Sequence, residues 1–263
     1  MARLDIVIPV YNEGRNITRV LDSLVNNVKT RFRVLICYDH DQDDTLPAVE
    51  QYKKQKNSID VEPVKNLGRG PHGAVMSGFA ACSADAVLVM AADDDYNAGI
   101  IDELVARFKS GCDVVVPSRF MKGGSMKGCR PLKAFLVRAT AVTLRFMAHI
   151  PVHDPTNGFR LFSRRVIEEV VVESREGFTY SIELLVKCHR LGLRIDEVPA
   201  QWFERELGTS RFMISKWAAA YLRWYLYAFG TTYLHLGPET VIVKNRTAFL
   251  PTGNSEKLGN SKA

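Results

Sequence analysis

The stretch VLVMAADDDYN, residues 87–97, runs from apolar residues into three consecutive carboxylates, Asp93, Asp94 and Asp95. A short β-branched run bounded by polar turn residues reads as a buried strand. Three anions at its end repel one another and lose hydration unless solvent, a cation or hydrogen-bond donors offset the cost. A solvated turn with an Asp helix cap accounts for them equally well when this stretch is taken alone. Its neighbours decide between the two.

Similar apolar runs occur at 4–10 (LDIVIPV), 32–37 (FRVLIC), 59–64 (IDVEPV), 86–91 (AVLVMA) and 112–117 (CDVVVP), each the length of a strand. Helical patterns lie between them. Ile17, Val20, Leu21, Leu24, Val25 and Val28 recur at spacings of three and four, as do Ile101, Leu104, Val105 and Phe108. This alternation predicts an α/β fold with a mostly parallel sheet flanked by helices. Ligands of such open sheets bind beyond the carboxyl ends of the strands. There the first strand runs into YNEG, the second into YDHDQDDT, the fourth into DDDYN and the fifth into SRFMKGG. Four polar loops at one sheet edge favour a binding site over four independent solvated turns.

Composition adds limits. The chain has 263 residues, 46% hydrophobic and 24% charged, enough for a substantial core. A formal charge of +6 favours anionic partners such as phosphorylated ligands or acidic lipid surfaces. Nucleic acid is not expected, because the basic residues are scattered and neither zinc-finger spacing nor an RNA-binding aromatic signature is present. Five widely spaced cysteines, mostly inside apolar segments, suggest reduced thiols and a cytoplasmic setting. The first apolar run turns polar too soon for a signal peptide.

After residue 120 the pattern changes. A helix is expected near 131–149, then HDPTNGFRLFS at 153–163, a helix near 180–191, a strand LRIDEVPAQWF, and an aromatic helix at 214–236. Residues 237–263 are expected to form a polar, flexible tail. The aromatic helix carries Lys216, Arg223 and His235, which argue against a membrane span. Ile214, Trp217, Ala218, Tyr221, Tyr225, Ala228 and Phe229 share one face, as in a helix lying in the headgroup region. Packing on the domain or in a homo-oligomer fits the same pattern.

The chemistry of the edge narrows the ligand. A dinucleotide fold needs a glycine-rich first turn, and PVYNEGRN has one glycine; no P-loop occurs. The glycines of NLGRGPHGAVMSG (66–78) serve either close helix packing or phosphate contact. Asp93 and Asp95, spaced one apart, suit a hard cation, Mg²⁺ or Mn²⁺, which also grips substrate phosphates. Such a cation bridging a nucleotide diphosphate neutralises a leaving group.

The order IVIPVYNE, NLGRGPHGAVMSGF, VLVMAADDD, PSRFMKGG, DPTNGFRLF, FTYSIELL and EVPAQWFERELGTSR, with an Asp-bearing loop after the second strand, resembles the family-2 inverting glycosyltransferases of GT-A (Rossmann-like) fold. Within them it is most similar to the dolichol- and polyprenyl-phosphate sugar synthases. The likeness covers roughly residues 3–212, and the ordered set of motifs is far more specific than any one of them. It implies a glycosyltransferase domain over 1–212 that moves a sugar from a nucleotide-sugar donor to a lipid-phosphate acceptor, with inversion.

By the same resemblance, Pro9, Tyr11 and Glu13 line the nucleotide pocket and Asp39 recognises the base. Asp93 is the metal-binding Asp of a DxD element, with Asp95 a further ligand. One register puts Ala91 at the first Asp of that element; another makes Asp93 and Asp95 the pair. Tyr38 and His40 depart from the usual second loop. Arg119 and Arg138 match acceptor-phosphate arginines, Arg145 lies seven residues further along the same helix, and Arg205 and Arg211 resemble a mobile acceptor loop.

A phosphate monoester, with a second pKa of about 6, needs cations rather than a base to act as nucleophile. A hydroxyl acceptor on a glycan, lipid or small molecule needs a carboxylate base, for which Asp154 is the candidate, although a turn before Pro155 explains that residue too. A nucleotide-sugar-binding protein without catalysis is the third reading. Residues 214–236 are the expected route to a membrane surface.

Overall fold

The computed structural model describes residues 3–56, 59–203 and 214–249. Its first half alternates as the periodicity requires: β1 (Leu4–Val10), α1 (Gly14–Asn27), β2 (Phe32–Tyr38), α2 (Thr45–Gln55), β3 (Val61–Lys65), α3 (Gly70–Ala81), β4 (Ala86–Val89), α4 (Ile101–Lys109) and β5 (Val114–Ser118). The second half adds β6 (Ser125–Lys127), α5 (Pro131–Phe146), β7 (Arg160–Ser163), α6 (Arg164–Glu169), α7 (Thr179–Arg190), β8 (Ile195–Pro199), β9 (Gln201–Phe203) and α8 (Ile214–Tyr233).

Seven strands form one sheet in the order β3-β2-β1-β4-β7-β5-β8. β1 pairs in parallel with β2 from Leu4↔Phe32 to Val10↔Tyr38 and, on its other side, with β4 from Leu4↔Ala86 to Val7↔Val89. Successive side chains leave a strand on opposite faces, so β1 builds both cores. Ile6 and Ile8 pack with Ile17, Leu21 and Leu104 of α1 and α4, while Val7 packs with Val75 of α3 and the buried faces of α7 and α8. The glycines of 66–78 include one needed for this closeness: a Cβ on Gly78 would fall 2.5 Å from Val7 Cγ1 and 2.8 Å from Cys37 Sγ.

Several expectations are corrected here. HDPTNGFRLFS contains a strand, β7, which runs antiparallel between β4 and β5, pairing Val87↔Phe162 and Val114↔Phe162. An antiparallel strand brings its N-terminal loop, residues 153–159, to the edge where the parallel strands end. LRIDEVPAQWF is two strands: β8 closes the main sheet, and β9 pairs with β6 in a separate two-stranded sheet.

Of the two arrangements expected of α8, its described aromatic residues take the packed one, while Leu222, Leu226 and Tyr233 stay exposed. Trp224 and Ala228 are buried, and Tyr221, Tyr225 and Phe229, assigned to the headgroup face, pack against the domain core. Buried charges fix it there. Lys187 of α7 donates to Glu173, Glu183 and the Val171 carbonyl and lies 4.9 Å from the Trp224 ring. Arg190 donates to the Tyr227 carbonyl at 2.7 Å and to Thr231 at 2.8 Å. The tail also begins later than expected. Val241 is buried, Val243 bridges to Val170, and Arg246 donates to three carbonyls from Pro238 to Val241, so residues 237–249 dock on the domain. No helix of the described residues is long and apolar enough to cross a membrane.

Candidate active site

The strand order reverses between β1 and β4, the position at which open α/β sheets bind ligands. The β1 end is shaped by carboxylates of the second loop. Asp43, buried, accepts from the Asn12 backbone N–H at 3.1 Å, Asp44 from that of Gly14 at 2.8 Å, and Thr45 Oγ1 from that of Glu13 at 2.9 Å. These bonds hold Asn12 at φ +54°, a left-handed conformation that asparagine tolerates. Half the acids of YDHDQDDT therefore organise backbone rather than wait for a ligand.

Pro9 is half-buried in β1. Tyr11 is exposed, its ring edge-on to His40 at 5.3 Å, and Glu13 accepts from Asn16 Nδ2 at 2.7 Å. Asp39 accepts from Asn66 Nδ2, and Asn66 Oδ1 accepts from the Gly68 N–H at 2.8 Å. Asn66 thus joins the loop after β2 to the glycine turn, a role that sequence reading missed.

The triplet resolves by alternation. Ala92 and Asp94 are buried, whereas Ala91 is exposed and Asp93 and Asp95 are half-buried, so 91, 93 and 95 reach solvent at the sheet edge and 92 and 94 face the protein. Asp94 accepts from Asn97 through its backbone N–H and its side-chain amide. Burial is the larger influence: it pushes the Asp94 carboxyl up to about 7, against the pull of those bonds and with help from Asp93 and Asp95. Asn97 also donates to the Gln201 carbonyl at 2.9 Å and accepts from its N–H at 3.0 Å, tying the triplet to β9. An amide three residues after an Asp was the available signal.

Asp95 has an exposed arginine, Arg19, at 3.5 Å, and its carbonyl accepts from Ser23 Oγ at 2.6 Å. Among the described residues, no three His, Cys, Asp or Glu side chains are grouped to hold a metal ion by themselves. Mg²⁺ commonly takes one or two carboxylates and completes its shell with water and substrate phosphates. The hard oxygens of Asp93 and Asp95 fit a cation shared with a diphosphate, not a closed protein cage.

Across β7 the chemistry changes sign. Arg119, leaving β5, donates to Asp154 through Nε at 2.6 Å, Nη2 at 2.8 Å and its backbone N–H at 3.0 Å, and Nη2 also reaches Thr156 Oγ1 at 3.0 Å. Asp154 is fully buried. Burial alone would raise its carboxyl pKa, but the Arg119 charge and these hydrogen bonds outweigh it and hold the group below its ordinary range. Behind it Arg160 is also fully buried, donating to the carbonyls of Ser181 and Pro155, with Nε unpartnered; burial lowers it to about 10. Arg119 and Asp154, read from the sequence as separate candidates, form one unit.

Arg138 is exposed on α5 and pairs with no carboxylate among the described residues. Its guanidinium lies 5.9 Å from the Phe120 ring, and that of Arg119 lies 5.2 Å from the same ring, so one aromatic side chain joins both arginines. Arg145 instead lies over Phe146. Arg205 and Arg211 fall outside the described residues. The arrangement presents two outward carboxylates and an arginine pair at one sheet edge, complementary to a cation-bound diphosphate and a second anion.

Comparison with known proteins identifies the family and the fold. The model of glycosyl transferase family 2 matches residues 5–171. The chain is 28% identical over 217 residues to the dolichol-phosphate mannosyltransferase of Pyrococcus furiosus, covering 80% of this chain but 59% of that protein. It is 28% identical to the polyprenol monophosphomannose synthase of Mycolicibacterium smegmatis, covering 78% and 79%. Among solved structures, glucosyl-3-phosphoglycerate synthase from Mycobacterium tuberculosis, in complex with Mn²⁺, UDP-glucose and phosphoglyceric acid, superposes with a TM-score of 0.65 at 19% identity, over 87% of this chain and 80% of that one. At that identity the likeness speaks for the fold, which is the GT-A-like α/β arrangement.

Proposed function

The chain belongs to glycosyl transferase family 2 and is a glycosyltransferase, and from that premise we propose that it moves a sugar from a nucleotide diphosphate to a polyisoprenyl phosphate, with inversion and with Mg²⁺ or Mn²⁺. The observation that carries the acceptor half is the Arg119–Asp154 pair. A general base works best with a pKa near the operating pH. Asp154 is buried, bidentate with an arginine and held below the carboxylate range, which suits a counter-charge and not a base. A hydroxyl acceptor would then lack its proton acceptor, whereas a phosphate, already anionic, needs none.

In this reading Tyr11, Glu13, Pro9 and Asp39 line the nucleotide pocket. Asp93 and Asp95 would hold the cation, which supplies Lewis-acid neutralisation of the departing diphosphate. Asp94 and Asn97 keep the turn in shape from behind. Arg138, with Arg119 oriented by Asp154 and Phe120, receives the acceptor phosphate and aligns it for a single in-line displacement. Arg205 belongs to the same acceptor side by family resemblance. The names of the two curated relatives, a dolichol-phosphate and a polyprenol-phosphate enzyme, support this acceptor class.

The test is an assay of the purified chain with radiolabelled UDP-, GDP- and CDP-sugars and either cation, with and without polyprenyl phosphate, counting label in the organic phase. Metal-dependent organic label that requires the lipid phosphate is expected. Donor turnover onto water-soluble hydroxyl acceptors, with none onto the lipid, would overturn the acceptor.

A further inference from the structure

The side-chain amide of Asn97 carries an acceptor oxygen and two N–H donors, the complement of a peptide group with one donor to spare. One hydrogen goes inward to the Asp94 carboxylate, at 2.8 and 2.9 Å. The rest of the amide faces Gln201, donating to its carbonyl at 2.9 Å and accepting from its N–H at 3.0 Å. A reciprocal exchange of this kind is what a neighbouring strand offers. On the opposite edge of β9, the Ser125 N–H of β6 donates to the Ala200 carbonyl at 3.0 Å. Asn97, itself buried, therefore stands as a one-residue third strand.

β9 needs such a neighbour. β6 and β9 have three residues each, and a two-stranded ribbon of that length does not hold its place unaided. Its position is set from both sides. Towards the triplet, Asn97 holds Gln201, and the Tyr96 ring meets Phe203 edge-on at 4.8 Å. Away from it, Lys133 of α5 lies 5.0 Å from the Trp202 ring, and β6, paired with β9 from Ser125↔Gln201 to Lys127↔Phe203, leads through residues 128–130 into α5. The small sheet is thus the connection between the turn that bears Asp93 and Asp95 and the helix that bears Arg138.

We propose, resting on the reading of these residues as the donor and acceptor sides, that Asn97 is a positioning residue that couples the two: a cation-bound nucleotide diphosphate at Asp93 and Asp95 and an anionic acceptor at Arg138 bind more tightly together than apart. Asn97 touches neither ligand. It fixes β9, and through β6 and Trp202 the start of α5, relative to the turn. A ligand that orders the triplet orders β9 through the amide, so the second ligand meets a site whose ordering cost is already met. Coupling of this kind is typically worth about 5- to 150-fold in affinity and holds equally in both directions.

The experiment titrates the full chain by calorimetry with Mg²⁺ and UDP, GDP or CDP, and with a short water-soluble polyprenyl phosphate, each alone and in the presence of the other. Trp202 emission is followed in parallel, and Trp202→Phe identifies its share of the signal. In the parent, Mg²⁺ with the nucleotide should shift Trp202 emission and raise acceptor affinity by about tenfold. The double variant Asp94→Leu with Asn97→Ala removes the link and the buried carboxylate together, leaving no orphaned side chain behind the turn. It is expected to bind Mg²⁺ and nucleotide within about threefold of the parent, to lose the Trp202 shift and to bring the tenfold gain down to about twofold or less. Phe203→Ala leaves the triplet untouched and should lower the gain in the same direction, by less. An unchanged gain in both variants, or no Trp202 response in the parent, would overturn the proposal. So would a double variant that loses nucleotide and acceptor affinity alike, the mark of a purely structural role. If no polyprenyl phosphate binds, the acceptor reading fails by itself, and the Trp202 shift, lost or kept in the double variant, still decides for or against Asn97.

Discussion

Beyond the end of β4, Asp93 and Asp95 stand half-buried and open to solvent, and the ion pair described for Asp95 is with an exposed arginine at 3.5 Å. On the neighbouring strand, Asp154 at the mouth of β7 is fully buried and gripped by Arg119 at 2.6 Å. Both are carboxylates at the same sheet edge, yet their surroundings assign them opposite work. Where the chain itself supplies a desolvated, bidentate cation, the carboxylate becomes part of the scaffold. At Asp95, where the described ion pair is a screened surface one, the carboxylate keeps most of its capacity for a ligand. Asp94, between the two outward acids, belongs with Asp154, for Asn97 satisfies it from within.

The largest expected effect breaks the outward side. Asp93→Ala should reduce metal-dependent transfer by about 10³-fold or more, since neutralising a leaving diphosphate is worth several kcal/mol. A turnover assay at saturating donor checks it, and an undiminished rate would remove Asp93 from the cation site. Next comes the inward side: Asp154→Asn strands a guanidinium that is nearly buried, at a cost of about 3–5 kcal/mol in unfolding free energy by denaturant titration.

The same pair predicts a pH signature. Because the folded carboxyl lies below the ordinary 3.8, the unfolded chain binds more protons as acid is added. The stabilisation is therefore full above about pH 4 and drains as pH falls through the lower folded value. Acid titration of the parent should show this fall, and Asp154→Asn should flatten it. If Asp154 were a base instead, the Asn variant would keep its stability and lose only turnover.

Arg138→Ala sharpens the acceptor side more gently. Losing one charge-assisted contact to a phosphate should raise the acceptor KM by about 10- to 100-fold and leave the donor KM unchanged. A parallel rise in both would move Arg138 out of the acceptor site. Smallest of all, Arg19→Ala removes the exposed partner of Asp95 and should change stability by less than about 0.5 kcal/mol. A loss as great as that of Asp154→Asn would mean that Asp95 is scaffold as well.

Much of this was legible in the sequence. The parallel strands at 4–10 and 32–37, and helices α1 and α4, follow apolar periodicity closely, because burial on one face is a local pattern; α5 and α7 also form where the pattern put them, but α5 keeps most of its apolar residues exposed and α7 is buried on nearly every side. The triplet and Arg119 stood out because strand ends in an α/β sheet converge, and Asp154 as the candidate base for a hydroxyl acceptor. Other assignments failed for a reason: they depend on partners distant in the chain. β7 has only four residues and no alternation, so nothing local marks it as a strand, still less as antiparallel. The aromatic stripe of α8 fits a membrane and a protein core equally well, and the neighbouring buried Lys187 and Arg190 come from α7.

The sequence by itself determined the α/β class, the edge that carries the chemistry and the family, since these rest on periodicity and on motifs in a fixed order. Only the tertiary structure decided which of the carboxylates look outward, that Arg119 and Asp154 are one ion pair, and that the aromatic residues Tyr221, Trp224, Tyr225 and Phe229 of α8 pack on the domain. Those outcomes hang on which surfaces meet after folding. Charge and hydrophobicity are properties of residues, but whether they are satisfied is a property of their neighbours.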